Sequence, residues 1–131
     1  MSNRFDRLFS GPLRFLPSLL VFATLAWLTL SPDPLPDNKM QLWEGADKMA
    51  HALMFGGLAV ILLSDSFRRR RLNIFWILVI IVLCTAAGAA IELIQRAMGL
   101  GRSADRADFI ADAIGVFAAS AAWFFGRASH R

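Results

Sequence analysis

Cysteine is almost absent from this chain. Cys84 stands alone among 131 residues, which excludes an intrachain disulfide and a cysteine-based metal site. Charge is scarce as well, at 18% against 56% hydrophobic residues, and positions 74–90 carry none. Proline is rare and concentrated: three of the five fall at Pro32, Pro34 and Pro36, so 31–44 reads as an extended loop that ends the helix before it. There is no internal repeat, and no low-complexity tract beyond alanine-rich stretches. No small-x-small cleavage site follows the first apolar run. Ser31-Pro32-Asp33-Pro34 does, so the run reads as a retained helix rather than a signal peptide.

What the chain does contain is apolar sequence in four blocks, at 15–30, 49–63, 72–94 and 109–126. A mean hydropathy of +0.51 is too high for a soluble domain of this size. About 20 helical residues cross a 30 Å hydrocarbon core. The third block is apolar on every side rather than along one stripe, which argues against a soluble helical protein. The expectation is an all-α, single-domain, four-helix transmembrane bundle spanning 1–131, with helices at roughly 13–31, 46–67, 72–97 and 105–126. Gly99 and Gly101 are placed to cap the third helix in left-handed conformation.

Basic residues set the orientation. Arg4, Arg7, Arg14, the run Arg68-Arg69-Arg70-Arg71, Arg127 and Arg131 fall on one side; Lys39, Lys48, Arg96, Arg102 and Arg106 fall on the other. Nine against five puts both termini in the cytoplasm by the positive-inside rule. The net charge of +4 then reports membrane topology and contact with anionic lipid, not nucleic-acid binding. Trp27, Trp43, Trp76 and Trp123 all fall at expected membrane–water interfaces, where indole is favoured.

The few ionisable residues inside the blocks are the functional signal. Asp47 and His51 are four apart on the second helix, with Lys48 beside Asp47. Glu92 and Gln95 are three apart near the end of the third. Arg102, Ser103 and Asp105 follow, and Asp108 and Asp112 are four apart at the start of the fourth. Helical spacing places Asp108, Asp112, Gly115, Ala119 and Ala122 on one face, and Glu92, Gly88 and Cys84 or Thr85 on another. Small residues along such faces let transmembrane helices approach closely, which turns the acids inward. An up-and-down topology brings all of these residues to the outer end of the bundle.

Asp47 reads equally well as an acid stabilising a helix N-terminus, and Lys48 as a snorkelling anchor. His51 alone would be an ordinary core histidine. Glu92 and Asp112 are harder to dismiss, because carboxylates at membrane depth must be paired. Three chemistries suit the cluster. His51, Glu92, Asp108 and Asp112 have the ligand types for a divalent cation, although no spacing is diagnostic and no cofactor is predicted. A histidine among acids could perform acid–base catalysis. Lys48, Arg102 and Arg106 could hold a phosphate or carboxylate. The residues leave open whether the protein is an enzyme.

At these positions the chain resembles the VanZ-like family of small bacterial membrane proteins. The resemblance rests on Asp47-Lys48-x-x-His51-x-x-x-Phe55, Glu92-x-x-Gln95, Arg102-Ser103 and Asp108-x-x-x-Asp112-x-x-Gly115. The family pattern has Asn where Asp112 stands, so this chain carries an additional acid. The resemblance implies a multi-pass protein of the bacterial cytoplasmic membrane, associated with low-level resistance to the lipoglycopeptide teicoplanin and with the cell envelope. The expected partners are the lipid bilayer and a lipid-linked envelope precursor whose anionic head group enters an outward-facing pocket, with self-association compatible. The alternatives are a membrane-embedded hydrolase or transferase acting on a lipid-linked phosphate, and a small proton-coupled transporter subunit.

Overall fold

The computed structural model of the protein describes residues 11–31, 45–68, 71, 73–99 and 106–130. A 3-10 turn, Gly11–Phe15, leads into α1 (Leu16–Leu30); α2 (Ala46–Phe67), α3 (Ile74–Met98) and α4 (Arg106–Ser129) follow. Among the described residues there is no strand. With the turn counted into the first, all four helices are long and apolar enough to cross a membrane.

Local chemistry accounts for the helix ends. Pro17 occupies the first turn of α1, where its missing N–H costs nothing. Ser31 leaves the helix in extended conformation, its amide donating to the Trp27 carbonyl at 3.0 Å. Asn73 caps α3 by accepting from the Phe75 amide at 2.9 Å, and Gly99 closes that helix at φ 61°, a left-handed conformation that glycine adopts without steric cost. Asp47 lies in the first turn of α2, facing the positive end of the helix dipole.

Contacts between helix ends define the topology. The start of α1 meets the end of α2 through Ser18 and Asp65, and the end of α1 meets the end of α3 through Thr29 and Gln95. The starts of α2 and α4 meet through His51 and Asp112, and their ends through Ser64 and Trp123. The chain therefore runs up, down, up, down, and α2 and α4 are parallel to one another.

Those two helices make the tightest contact in the bundle. A Cβ added at Gly115 would overlap the Ala52 carbonyl, and one at Gly56 would lie 2.9 Å from the Gly115 carbonyl oxygen and 3.2 Å from the Ala119 Cβ. Backbone thus packs on backbone, with dispersion contacts standing in for the hydrophobic drive that lipid removes. The core around this seam holds Phe55, Ala59, Leu63 and Val116, each fully buried. Leu53, Leu78, Val82, Leu93, Ile114 and Phe125 point outward and are more than half exposed. Such an apolar exterior is incompatible with water and suits acyl chains.

The end of the bundle carrying Arg14, Arg68 and Arg127 is held by polar contacts. Asp65, 2% exposed, accepts from the Ser18 amide at 3.1 Å and its hydroxyl at 2.6 Å, with Arg68 at 3.4 Å. The carboxylate satisfies an amide in the first turn of α1 that has no partner within its own helix. Trp123 donates to the Ser64 hydroxyl at 3.0 Å, and Arg127 donates to the Phe67 carbonyl at 2.6 Å. Nothing in the spacing of the sequence had marked Asp65, whose partner lies 47 positions away.

Two stability predictions follow from these contacts. Replacing Gly115 by alanine should lower stability by about 1–3 kcal/mol, the usual cost of overpacking, whereas Gly57→Ala, with open space around the added carbon, should be near neutral. Asp65→Ala should cost about 2 kcal/mol or more, because a charged acceptor is lost; Gln95→Leu should cost only about 1 kcal/mol, the scale of neutral interhelical bonds in membranes. Reversible unfolding in mixed micelles measures all four.

Candidate functional site

The starts of α2 and α4 and the last turns of α3 converge at the end of the bundle opposite Asp65. His51 sits one turn into α2, and its Nδ1 lies 3.0 Å from Asp112 Oδ1. The pairing depends on the glycine seam: Ala52, adjacent to His51, is the residue that Gly115 touches. Asp112 is almost wholly buried, at 1% exposure. Its second oxygen, Oδ2, makes no hydrogen bond among the described residues and lies 3.0 Å from where a Cβ on Gly88 would stand. Gly88 therefore makes the room in α3 that the Asp112 carboxylate occupies.

Glu92 follows one turn beyond Gly88 on the same face of α3. It is buried, and both carboxylate oxygens lack a hydrogen-bond partner among the described residues. His51, Glu92 and Asp112 each present one donor atom, all within 4.8 Å of one another. Phe55, fully buried one turn below His51 with its ring 6.5 Å from the imidazole, closes the cluster toward the core. It also touches the space beside Gly88.

Lys48 extends the cluster toward the membrane surface. Its ammonium lies 3.9 Å from Asp108 and 3.7 Å from Asp47. Asp108 is mostly buried, whereas the Asp47 side chain is 66% exposed, so Asp47 belongs to the rim. On the flank of α3 and α4, an open groove of about 240 Å³ is lined by Glu92, Arg96, Arg106 and Phe109, among others.

Not every residue singled out in the sequence meets the others here. Gln95 turns away, donating its amide to the Thr29 carbonyl at 2.6 Å. A helical step of three residues from Glu92 rotates the side chain onto the α1 side, and there it ties α3 to the end of α1. Arg102, Ser103 and Asp105 lie outside the described residues. The structure adds Gly88, Phe55 and Arg96 to the neighbourhood. Arg96 was legible in principle, being four residues after Glu92; the part played by Gly88 needed the position of Asp112 on another helix.

The charge balance of this end is unusual for a buried site. Among the described residues, Glu92, Asp108 and Asp112 face the Lys48 ammonium and the His51 imidazole, with the Arg96 guanidinium on the groove side of Glu92. Buried carboxylates are stable only when hydrogen-bonded, paired or bound to a cation. The Glu92 oxygens and Asp112 Oδ2 have no hydrogen-bonding partner among the described residues, which is the opposite of Asp65. A divalent cation bonded at about 2.1–2.4 Å spans donors up to about 4–5 Å apart, and imidazole with two carboxylates is a suitable donor set.

No curated protein and no solved structure matches the chain. A family model described as VanZ/LLP1 matches residues 4–127, a span that includes α1 to α3, all but the last two residues of α4 and the whole His51–Glu92–Asp112 cluster. The chain, a multi-pass membrane protein by its four apolar helices, belongs to the VanZ/LLP1 family.

Proposed function

We propose that this protein binds the anionic head group of a lipid-linked envelope compound at the outer face of the bacterial cytoplasmic membrane, and does so with a divalent cation. The observation that carries this reading is the Glu92 carboxylate, buried without a hydrogen-bond partner among the described residues and within reach of His51 and Asp112. The acidic cluster by itself repels an anion; a cation seated among His51, Glu92 and Asp112 neutralises the two carboxylates and offers open coordination positions to a phosphate or carboxylate. The adjoining groove supplies Arg96 and Arg106, whose planar forks suit such groups, and its opening between α3 and α4 lets a lipid tail remain in the bilayer. The positive-inside rule assigns this end to the outer side. Protection against teicoplanin would then arise by occupying or altering a surface target.

A hydrolase or transferase acting on a lipid-linked phosphate is the second reading, and the His51–Asp112 contact favours it. A carboxylate accepting from Nδ1 orients the ring and leaves Nε2 to move a proton. The two readings differ in turnover: a labelled lipid-linked diphosphate remains intact with a binding protein and is consumed, in a chelator-sensitive manner, by an enzyme.

Metal analysis and titration of the purified protein with zinc, manganese and calcium should find one divalent site. Glu92→Gln and Asp112→Asn should each weaken it roughly tenfold or more. Undiminished binding by both variants would remove the cation from this reading. In a teicoplanin-sensitised host, expression of the wild type should raise resistance, and a His51→Ala/Glu92→Gln double variant should return it to the vector control. Equal protection by both proteins would sink the envelope function of the site.

A further inference from the structure

At the opposite end of the bundle, between the start of α1, the end of α2 and the start of α3, lies a second space of about 510 Å³. It is more than twice the volume of the groove at the Glu92 site. Arg14, Arg71, Asn73 and Ser66 contribute polar groups to its lining, and Val79 and Leu83 are among its apolar walls. Among the described residues, none that lines it is acidic; nearby Asp65 is engaged by Ser18 and Arg68. Its described lining thus offers two guanidinium groups and no carboxylate.

Three further observations narrow the occupant. The Arg14 guanidinium is held 4.5 Å over the Phe15 ring, yet its Nε is buried and finds no acceptor among the described residues. The lining on α3 runs from Asn73 to Leu83, about 15 Å at 1.5 Å per residue, which carries the space from the interface well into hydrocarbon. Trp76, also in the lining, marks the interface level, where indole is favoured. Water is a poor occupant of its deeper part, because the apolar wall of Val79, Ile80 and Leu83 offers it few hydrogen-bond partners.

We propose that this cavity is a binding site for an anionic phospholipid, with the phosphate between Arg14 and Arg71 and one acyl chain along Val79 and Leu83. Basic pockets between transmembrane helices recognise acidic head groups in this way, and Arg68 at the end of α2 adds positive potential at the same end. A free phosphate would satisfy the guanidinium groups and leave the apolar wall uncovered. A zwitterionic lipid would fill the space but present no net charge to the two arginines. The site is distinct from the His51–Glu92–Asp112 cluster and does not depend on its function.

Native mass spectrometry of the full chain in detergent, with phosphatidylglycerol and phosphatidylcholine of identical acyl chains, tests the assignment. Wild-type protein should retain phosphatidylglycerol about tenfold better. Arg14→Gln/Arg71→Gln should bring the two lipids within twofold, and Arg14→Lys/Arg71→Lys should keep most of the preference, which guards against a folding artefact. Leu83→Trp, which fills the apolar wall with the charge unchanged, should lower retention of both lipids several-fold. Inorganic phosphate at millimolar concentration should displace little of the bound phosphatidylglycerol. Preference unchanged in the Gln variant, retention unchanged in Leu83→Trp, or full displacement by inorganic phosphate would each overturn the proposal.

Discussion

The contact between α2 and α4 at Ala52, Gly56, Gly115 and Ala119 is the constraint from which the rest of the structure follows. Two helices whose backbones touch have little freedom in rotation or register, because a shift of one residue would drive a Cβ into a carbonyl. With the register fixed, His51 must face Asp112 and Lys48 must approach Asp108. The site is thus built on rigid elements one helical turn from their closest approach, although its residues come from widely separated parts of the chain. α3 completes it through Gly88, which yields space to one carboxylate, and Glu92, which supplies another.

The two ends of the bundle treat buried acid in opposite ways. Asp65 accepts from an amide and a hydroxyl and has an arginine beside it; it behaves as a structural pin that joins α1 to α2. Glu92 and Asp112 are held where donors among the described residues do not complete their coordination. An arrangement that leaves carboxylates short of partners lowers stability unless something else binds there. The difference between Asp65 and the Glu92–Asp112 pair lies in their neighbours rather than in their burial, and it separates scaffold from site.

Much of this was legible in the sequence because lipid makes polar residues conspicuous. Four apolar blocks gave the helical architecture, and the rarity of charge inside them drew attention to His51, Glu92 and Asp112. Small residues at helical spacing identified the packing face of α4. Other features depended on partners that no spacing reveals. Gln95 shares a helix end with Glu92 but reaches α1, since three residues of rotation suffice to change its neighbour. Asp65 lay in a segment read only as the tail of α2, and its role requires Ser18 from across the bundle. The small face of α2, Ala52 and Gly56, was obscured by the more prominent His51 motif that overlaps it.

The glycine seam also fixes a thermodynamic character for the bundle. Parting α2 from α4 within a bilayer would exchange protein contacts for acyl-chain contacts and expose little apolar surface to water. The heat-capacity change that accompanies hydrophobic burial would then be nearly absent from that step. The cohesion of the pair would accordingly vary little on cooling, in contrast to a soluble core, whose hydrophobic stabilisation fades toward low temperature.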